Sequence, residues 1–291
     1  MICRRLIVLA AIAAIGPSLA VGAPLLQYTF DETSGDAIDY GTAPQTNAAL
    51  LGGATRSANT PSGTGFSLDL RDDAATYAHA LEGDAADLDG LGALTLSTWL
   101  NVEAYTSGNN RLSAKQAAGA FGGFSWNMNA TPNSGAVGPD NFRLGLFVGN
   151  NVSSGGSDFA AGFSTDDVDA HDKWVFLAVT YDGTQAANNT KYFIGGVNTP
   201  VTQLGSDLTL AQLTVEGGTA LFGVGYTDAA PAADTSVIGY QDDVRVYGTA
   251  LTLAELEAIR LENIPEPSSV VLLLTSFFCA MATGRRLSKR N

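Results

Sequence analysis

Cysteine is nearly absent from the sequence. The two cysteines, Cys3 and Cys279, lie in hydrophobic segments at the two ends, so the roughly 240 residues between these segments contain none. This central part can form no internal disulfide and carry out no thiol chemistry, and its stability must come from a hydrophobic core. A chain of this length is long enough to build a large one.

Positive charge is also scarce. The chain has 15 basic and 29 acidic residues and a net charge of −14 at pH 7. Without the terminal segments, nine basic and 28 acidic residues remain, and 21 of the acids in the chain are Asp. Because phosphate binding needs a basic face, we predict that the protein does not bind nucleic acid. Abundant Asp suits turns and the ligation of hard cations.

Long hydrophobic runs occur only at the two ends. At the N-terminus, Arg4 and Arg5 precede an apolar stretch that closes with small residues at Ala20. This order is typical of a secretory signal peptide. We therefore predict that residues 1–20 are a signal peptide and that the protein is exported.

The C-terminal segment, residues 263–291, has three parts. Pro265-Glu266-Pro267 cannot continue a helix, because each proline fixes φ and lacks an N–H. Residues 270–283 then form an uncharged run of 14, which is short beside the roughly 20 residues of a relaxed membrane span. Four cations close the chain and favour the cytoplasmic side. We predict a hydrophobic targeting helix that is inserted in the membrane transiently.

The central part is patterned for β-structure. "LTLSTWL" and "FRLGLFV" alternate in polarity, and "WVFLAVTYDG" is apolar on both faces before an Asp-Gly turn. With 33 glycines and short strands between turns, the pattern predicts an all-β antiparallel sandwich or jelly roll. One short C-terminal helix is expected to pack over an end of the sandwich. Thr252 and Glu255 would form its capping box, and its apolar stripe is predicted from Leu253, Leu256 and Ile259.

Catalytic patterns are hard to find in the central part. Glycoside hydrolysis needs two carboxyl groups across the scissile bond. Among the Glu residues before the tail, only Glu255 and Glu257 are two apart, and they lie in the predicted helix. The remaining pairs are Asp residues in predicted loops, such as Asp87/Asp89 and Asp167/Asp169. We predict a protein that is not an enzyme, with no catalytic residues; a diverged glycoside hydrolase is the less favoured alternative.

Aromatic side chains supply the candidate ligand contacts, because exposed rings can stack on sugars. Trp99 and Trp174 lie in strongly apolar stretches and are predicted to pack in the core. Trp126 has polar neighbours in "GGFSWNMN" and is predicted to contact a ligand, together with Tyr105 and Asn109.

The order of these segments resembles the laminin-G-like or concanavalin A-like jelly roll. "LGALTLSTWLNVEAY" is similar to the family strand with a buried Trp, "HDKWVFLAVTYDGT" to its W-x-x-V-A-V-T-Y-D-G strand, and "IGYQDDVRVYGTALTLAELEAI" to its closing strand and helix. The resemblance implies one jelly-roll domain, which we place at residues 24–262. It also implies a glycan or exopolysaccharide partner, although fold alone does not confer function. The alternative is a structural matrix protein without a small ligand.

Many members of this family hold one Ca²⁺ near the rim of the sandwich. The resemblance implies Asp31 and Asp39 in the first loop and Asp242 before the last strand as its ligands, because the first and last strands commonly lie side by side. Ca²⁺ takes six to eight oxygen ligands, which loop carboxylates help to supply. The equal alternative is that Asp31 and Asp39 only close turns and that Asp242 caps a strand.

The C-terminal segment resembles the PEP-CTERM sorting signal through Pro265, Glu266 and Pro267, the uncharged run and the basic tip. That family implies processing by a membrane enzyme, the exosortase, in Gram-negative bacteria that make exopolysaccharide. The protein is then expected in the periplasm, on the outer surface or in the extracellular matrix.

Overall fold

The computed structural model describes residues 21–44, 46–71, 79–82, 85–104, 109–116, 122–129, 141–149, 159–218, 221–225 and 237–264. These residues form sixteen strands, a 3-10 helix at Ala86–Leu88 and one α-helix, α1, at Leu253–Glu262. The strands, in chain order, are β1 (Leu26–Tyr28), β2 (Ala49–Leu51), β3 (Thr55–Ser57), β4 (Ser67–Asp69), β5 (His79–Glu82), β6 (Ala93–Ala104), β7 (Asn109–Lys115), β8 (Gly123–Asn129), β9 (Asn141–Gly149), β10 (Phe159–Phe163), β11 (Val168–Asp169), β12 (Val175–Asp182), β13 (Thr190–Gly196), β14 (Thr199–Leu208), β15 (Phe222–Val224) and β16 (Ile238–Tyr247).

The strands form two sheets of eight. Sheet A has the order β14-β13-β12-β6-β16-β4-β3, and β1 also pairs with β16. Sheet B has the order β10-β9-β8-β7-β15-β5-β2, and β11 also pairs with β9. Every pairing between these strands is antiparallel. The prediction of an antiparallel jelly-roll sandwich with one short C-terminal helix is confirmed.

The main core lies between the sheets and follows from strand alternation. Leu96 and Leu100 of β6 point inward and are fully buried, as are Leu144 and Leu146 of β9 in the facing sheet. Trp99 lies on the opposite face of β6 and is also fully buried. Its burial confirms the core position predicted for it, in a second core on the outer face of sheet A.

Helix α1 covers this second core. Leu256 and Ile259 are buried there with Trp99, Phe176 and Tyr247. The predicted capping box is present, but the helix lies on the outer face of sheet A and not over an end of the sandwich. The first member of the predicted stripe, Leu253, is 46% exposed, whereas Leu251, just before the helix, is buried in this core.

The predicted signal peptide, residues 1–20, and residues 265–291 of the predicted sorting segment lie outside the described residues. Within the described ranges, no helix combines the length and the apolar character needed to cross a membrane.

Candidate cation and ligand site on the outer face of sheet A

Two acidic residues of β16 lie between the segments of this strand that pair with β4 and with β1. β4 pairs with Tyr240 and Gln241 of β16, whereas β1 pairs with Val244–Val246. Asp242 and Asp243 lie between these two partners, where the register with β6 also shifts and Asp243 has a φ of 46°. Because a bulge re-aims the side chains at its position, the two neighbouring carboxylates have different surroundings.

Asp243 is held in a buried polar network. Its Oδ1 accepts hydrogen bonds from Gln27 Nε2 at 3.0 Å and Arg245 Nε at 2.8 Å, and its Oδ2 accepts from Asn263 Nδ2 at 2.5 Å. Arg245 also contacts Glu262 through NH1 at 2.7 Å. The network therefore joins β16 to β1 and to the C-terminal end of α1, and it assigns Asp243 a structural role.

Asp242 instead lines an open cavity of about 550 Å³. The cavity lies between residues 62–66 and the end of α1, and its polar walls include Asp31, Asp242, Glu262 and Asn263. Three of these four side chains are carboxylates, and we name this space the acidic cavity. Glu262 and Asn263 form the last residue and the C-cap of α1. The negative end of a helix dipole adds to the preference of this space for a cation.

The carboxylate of Asp242 is poorly compensated. The residue is only 7% exposed, and its Oδ1 accepts the Asp243 N–H at 2.8 Å, while no hydrogen bond to its Oδ2 is found within the described residues. Burial, followed by the negative charges of Asp243 and Asp31, raises the pKa of Asp242 well above its usual value. Arg245 lowers this pKa only in part, because it is engaged by Asp243 and Glu262. A bound cation would stabilise the ionised form.

Two of the three predicted metal ligands come together, and the third does not. Asp31 and Asp242 share the acidic cavity. Asp39 is fully buried opposite Tyr28, where its Oδ1 accepts the N–H groups of Gln27 at 2.9 Å and Gly41 at 2.7 Å. The three-residue set is therefore corrected: Asp39 closes the first loop, as the alternative interpretation held. No cluster of three or more His, Cys, Asp or Glu suited to a metal occurs in the described part of the chain. Calcium binding stays a prediction.

The predicted contact of Trp126 with a ligand is wrong. Its side chain has no exposure, because the alternation of β8 points Phe124, Trp126 and Met128 into the core between the sheets. Asn109 is the first residue of β7, and its side chain lies outside what the structure describes. Tyr105 lies outside the described residues. Their predicted ligand contacts therefore stay predictions.

Trp174, predicted to be a core residue, is the one tryptophan at the surface. Trp99 and Trp126 are fully buried, whereas Trp174 is partly exposed and packs against the core under α1 with part of its ring. Its indole lies 6.3 Å from the ring of Tyr240, and its Nε1 donates to Asn59 Oδ1 at 3.1 Å. Its position at the start of an apolar run, directly after the polar "HDK", was the available signal that it lies at a strand end.

Three of the four Asp residues that remained as catalytic candidates, Asp89, Asp167 and Asp169, are engaged in ion pairs. Lys115 contacts Asp89 at 2.6 Å, Arg143 contacts Asp167 at 3.1 Å, and Lys173 contacts Asp169 at 2.6 Å. Each of these three carboxylates is therefore held by a cation of the same fold, which favours a structural role.

The two-sheet jelly roll with a helix on its outer face defines the class of lectin-like β-sandwiches. The family model of the concanavalin A-like lectin/glucanases superfamily matches residues 72–257, and the chain belongs to this family. No curated protein is significantly similar to it in sequence.

Among solved structures, the fold is similar to the binding domain of botulinum neurotoxin serotype D/C, with a TM-score of 0.50 and 9% identity. It is also similar to the binding domain of botulinum neurotoxin DC in complex with SialylT, with a TM-score of 0.51 and 10% identity. The match covers 83% of this chain and 52% of each of those chains, so the protein spans about half their length. At such identities the likeness shows the fold alone.

Proposed function

We propose that the protein is an exported, non-enzymatic binding protein that recognises glycan and holds Ca²⁺ in the acidic cavity. The observation that carries the proposal is the meeting of Asp31 and Asp242, from opposite ends of the domain, in one open cavity. Membership of the lectin/glucanase superfamily supports a glycan ligand, and so does the structural neighbour whose complex contains SialylT.

The residues of the acidic cavity fit a calcium ion in their chemistry. Asp31 and Asp242 offer carboxylate oxygens and Asn263 offers an amide oxygen, while Glu262 in the same cavity is paired with Arg245. Ca²⁺ takes six to eight oxygens in a flexible geometry, and water supplies those that the protein does not. A divalent cation would offset the burial and the neighbouring negative charges that together raise the pKa of Asp242.

Glycan-array binding by the purified exported protein, measured with Ca²⁺ and with EDTA, tests both the glycan ligand and the calcium requirement. We expect binding to a subset of glycans that falls when Ca²⁺ is removed. Binding that EDTA leaves unchanged would contradict the calcium part alone. Release of reducing sugar would identify a glycanase. If neither binding nor hydrolysis occurs while the protein stays with the cell surface, the structural matrix role is the correct one.

The route to the surface is part of the same proposal. A signal peptide at residues 1–20 would direct export, and an exosortase-type enzyme would process the segment that begins with Pro265-Glu266-Pro267, after transient insertion in the inner membrane. Mass spectrometry of the mature protein and cell fractionation test this route. We expect both termini to be shortened and Glu266→Ala to leave full-length precursor in the membrane. A mature protein that retains the basic tip would contradict it.

A further inference from the structure

We propose that the partly exposed face around Trp174 is the glycan-binding surface and that it takes neutral hexopyranose units of a polysaccharide. This inference rests on the proposed glycan-binding function and adds the location and the class of sugar. We call this face the Trp174 surface, and it consists of Asn59, Asp69, Arg71, Asn101, Glu103, Trp174 and Tyr240.

The sheet register brings these side chains together. Tyr240 of β16 pairs with Asn101 of β6, and Leu100, the residue before Asn101, pairs with Val175. Trp174, just before Val175, therefore lies beside Asn101, with Tyr240 on the other side. Asn101 and Tyr240 are almost buried and form the base of the surface, and the partly exposed indole stands beside them.

An aromatic ring and fixed polar groups are the combination that a sugar ring needs. The exposed part of the indole can pack against the C–H side of a pyranose, since aromatic rings contribute a large apolar area at interfaces. Asn59 is exposed, and its side chain joins the two rings: its Oδ1 accepts from Trp174, and it also forms a hydrogen bond with Tyr240. The hydrogen bond from Trp174 fixes the orientation of the indole.

Arg71 is held in place before any ligand arrives. Its Nε and NH2 contact the two carboxylate oxygens of Asp69 at 2.9 and 2.8 Å, and its NH1 contacts Glu103 Oε1 at 3.0 Å. The guanidinium carbon lies 4.5 Å above the centre of the Tyr240 ring. The Arg71 side chain nevertheless remains 40% exposed. Because bidentate pairing has already ordered the side chain, little conformational entropy is lost when it donates to a sugar.

The charges favour a neutral sugar over an acidic one. One cation, Arg71, faces two carboxylates, Asp69 and Glu103, so the polar rim of the surface carries a net negative charge. The whole chain is at −14. A uronic acid would meet repulsion here, whereas hydroxyl groups can donate to the carboxylates and accept from Arg71.

The surface adjoins the acidic cavity. Tyr240 and Asp242 are two residues apart on one strand, which is about 7 Å along it. Trp174 and Arg71 are partly exposed and Asn59 is exposed, so the surface suits a unit inside a polysaccharide as well as a chain end.

Binding of the exported protein to a printed panel of neutral glucans and polyuronates, with Ca²⁺ present, tests the inference. We expect the wild type to bind neutral members, and Trp174→Ala to lose at least about tenfold in affinity. Tyr40→Ala is the matched control, because Tyr40 is an aromatic residue that is 51% exposed in the first loop, and it should bind as the wild type does. If Trp174→Ala fails to fold, Arg71→Met keeps the aliphatic packing and should still weaken binding several-fold.

Each remaining outcome decides against one statement. If the wild type binds glycan and Trp174→Ala and Arg71→Met bind equally well, the inference is overturned and the proposed function stands. A preference for polyuronates would contradict the statement that the surface takes neutral sugars. If the wild type binds no member of the panel, the proposed glycan-binding function itself falls.

Discussion

Two adjacent carboxylates of β16 illustrate two uses of a buried acid. Asp243 has a fixed cation and two further donors, so its charge is compensated within the fold. Asp242, one residue away, faces the acidic cavity with Asp31 and Glu262, and its pKa is raised. The presence of two neighbouring acidic residues therefore does not show what either of them does. The partners of each oxygen distinguish a structural carboxylate from one that can serve a ligand.

The largest effect is expected from removing the charge of Asp243. Asp243→Asn keeps the shape of the side chain and tolerates the φ of 46°, but it leaves the buried Arg245 without its main partner. We expect a loss of about 3–5 kcal/mol in the free energy of unfolding, measured by denaturant titration.

Asp207→Asn is the matched control for this change. Asp207 forms an ion pair with Lys191 at 3.2 Å in which both side chains are partly exposed, 29% and 40% respectively. It should lose no more than about 1 kcal/mol. Equal losses in the two variants would contradict the structural role of the Asp243 network.

A smaller effect is expected from pH. Because the folded-state pKa of Asp242 lies above its unfolded value near 3.8, the folded protein binds the proton more tightly than the unfolded chain. Without Ca²⁺, stability should therefore fall as pH rises from that value through the raised pKa, and Asp242→Asn should flatten this fall. Asp39, whose pKa is raised by burial, contributes with the same sign and should leave some slope. The unfolding temperatures of the wild type and of Asp242→Asn, measured across pH without Ca²⁺, test this prediction. Identical pH dependence in the two proteins would contradict it.

The smallest effect is expected at the other end of α1. Thr252 accepts the Glu255 N–H and begins the helix, ten residues from the acidic cavity. Thr252→Ala should lose about 1 kcal/mol in the free energy of unfolding. Calcium affinity, measured by titration calorimetry, should be unchanged if the cavity depends on the Asp243 network and not on the N-terminal cap. A parallel loss of affinity would show that the two ends of the helix act as one unit.

The local sequence pattern was sufficient to predict the strands and the capping box of α1, because hydrophobic periodicity and turn residues depend only on positions close in sequence. It failed for two tryptophans. Trp126 has polar neighbours, yet it is buried since strand alternation sends those neighbours to the other face. Trp174 begins an apolar run, yet it is partly exposed because it lies at the strand end.

The acidic cavity shows a second limit of sequence reasoning. Asp31 and Asp242 could be paired from the expected closeness of the first and last strands. Glu262 could not, because its position depends on how the end of α1 packs over sheet A. Asp39 is a residue type that can bind Ca²⁺, but its Oδ1 accepts hydrogen bonds from two backbone N–H groups and the residue is fully buried.

Calorimetric titration of the chelated exported protein with CaCl₂ tests the central claim most directly. We predict one saturable site in the wild type, its loss in Asp31→Asn and Asp242→Asn, and its retention in Asp39→Asn, where the amide oxygen can still accept both backbone N–H groups. A wild type that binds no Ca²⁺, or a site that persists in Asp31→Asn and Asp242→Asn, would contradict the claim.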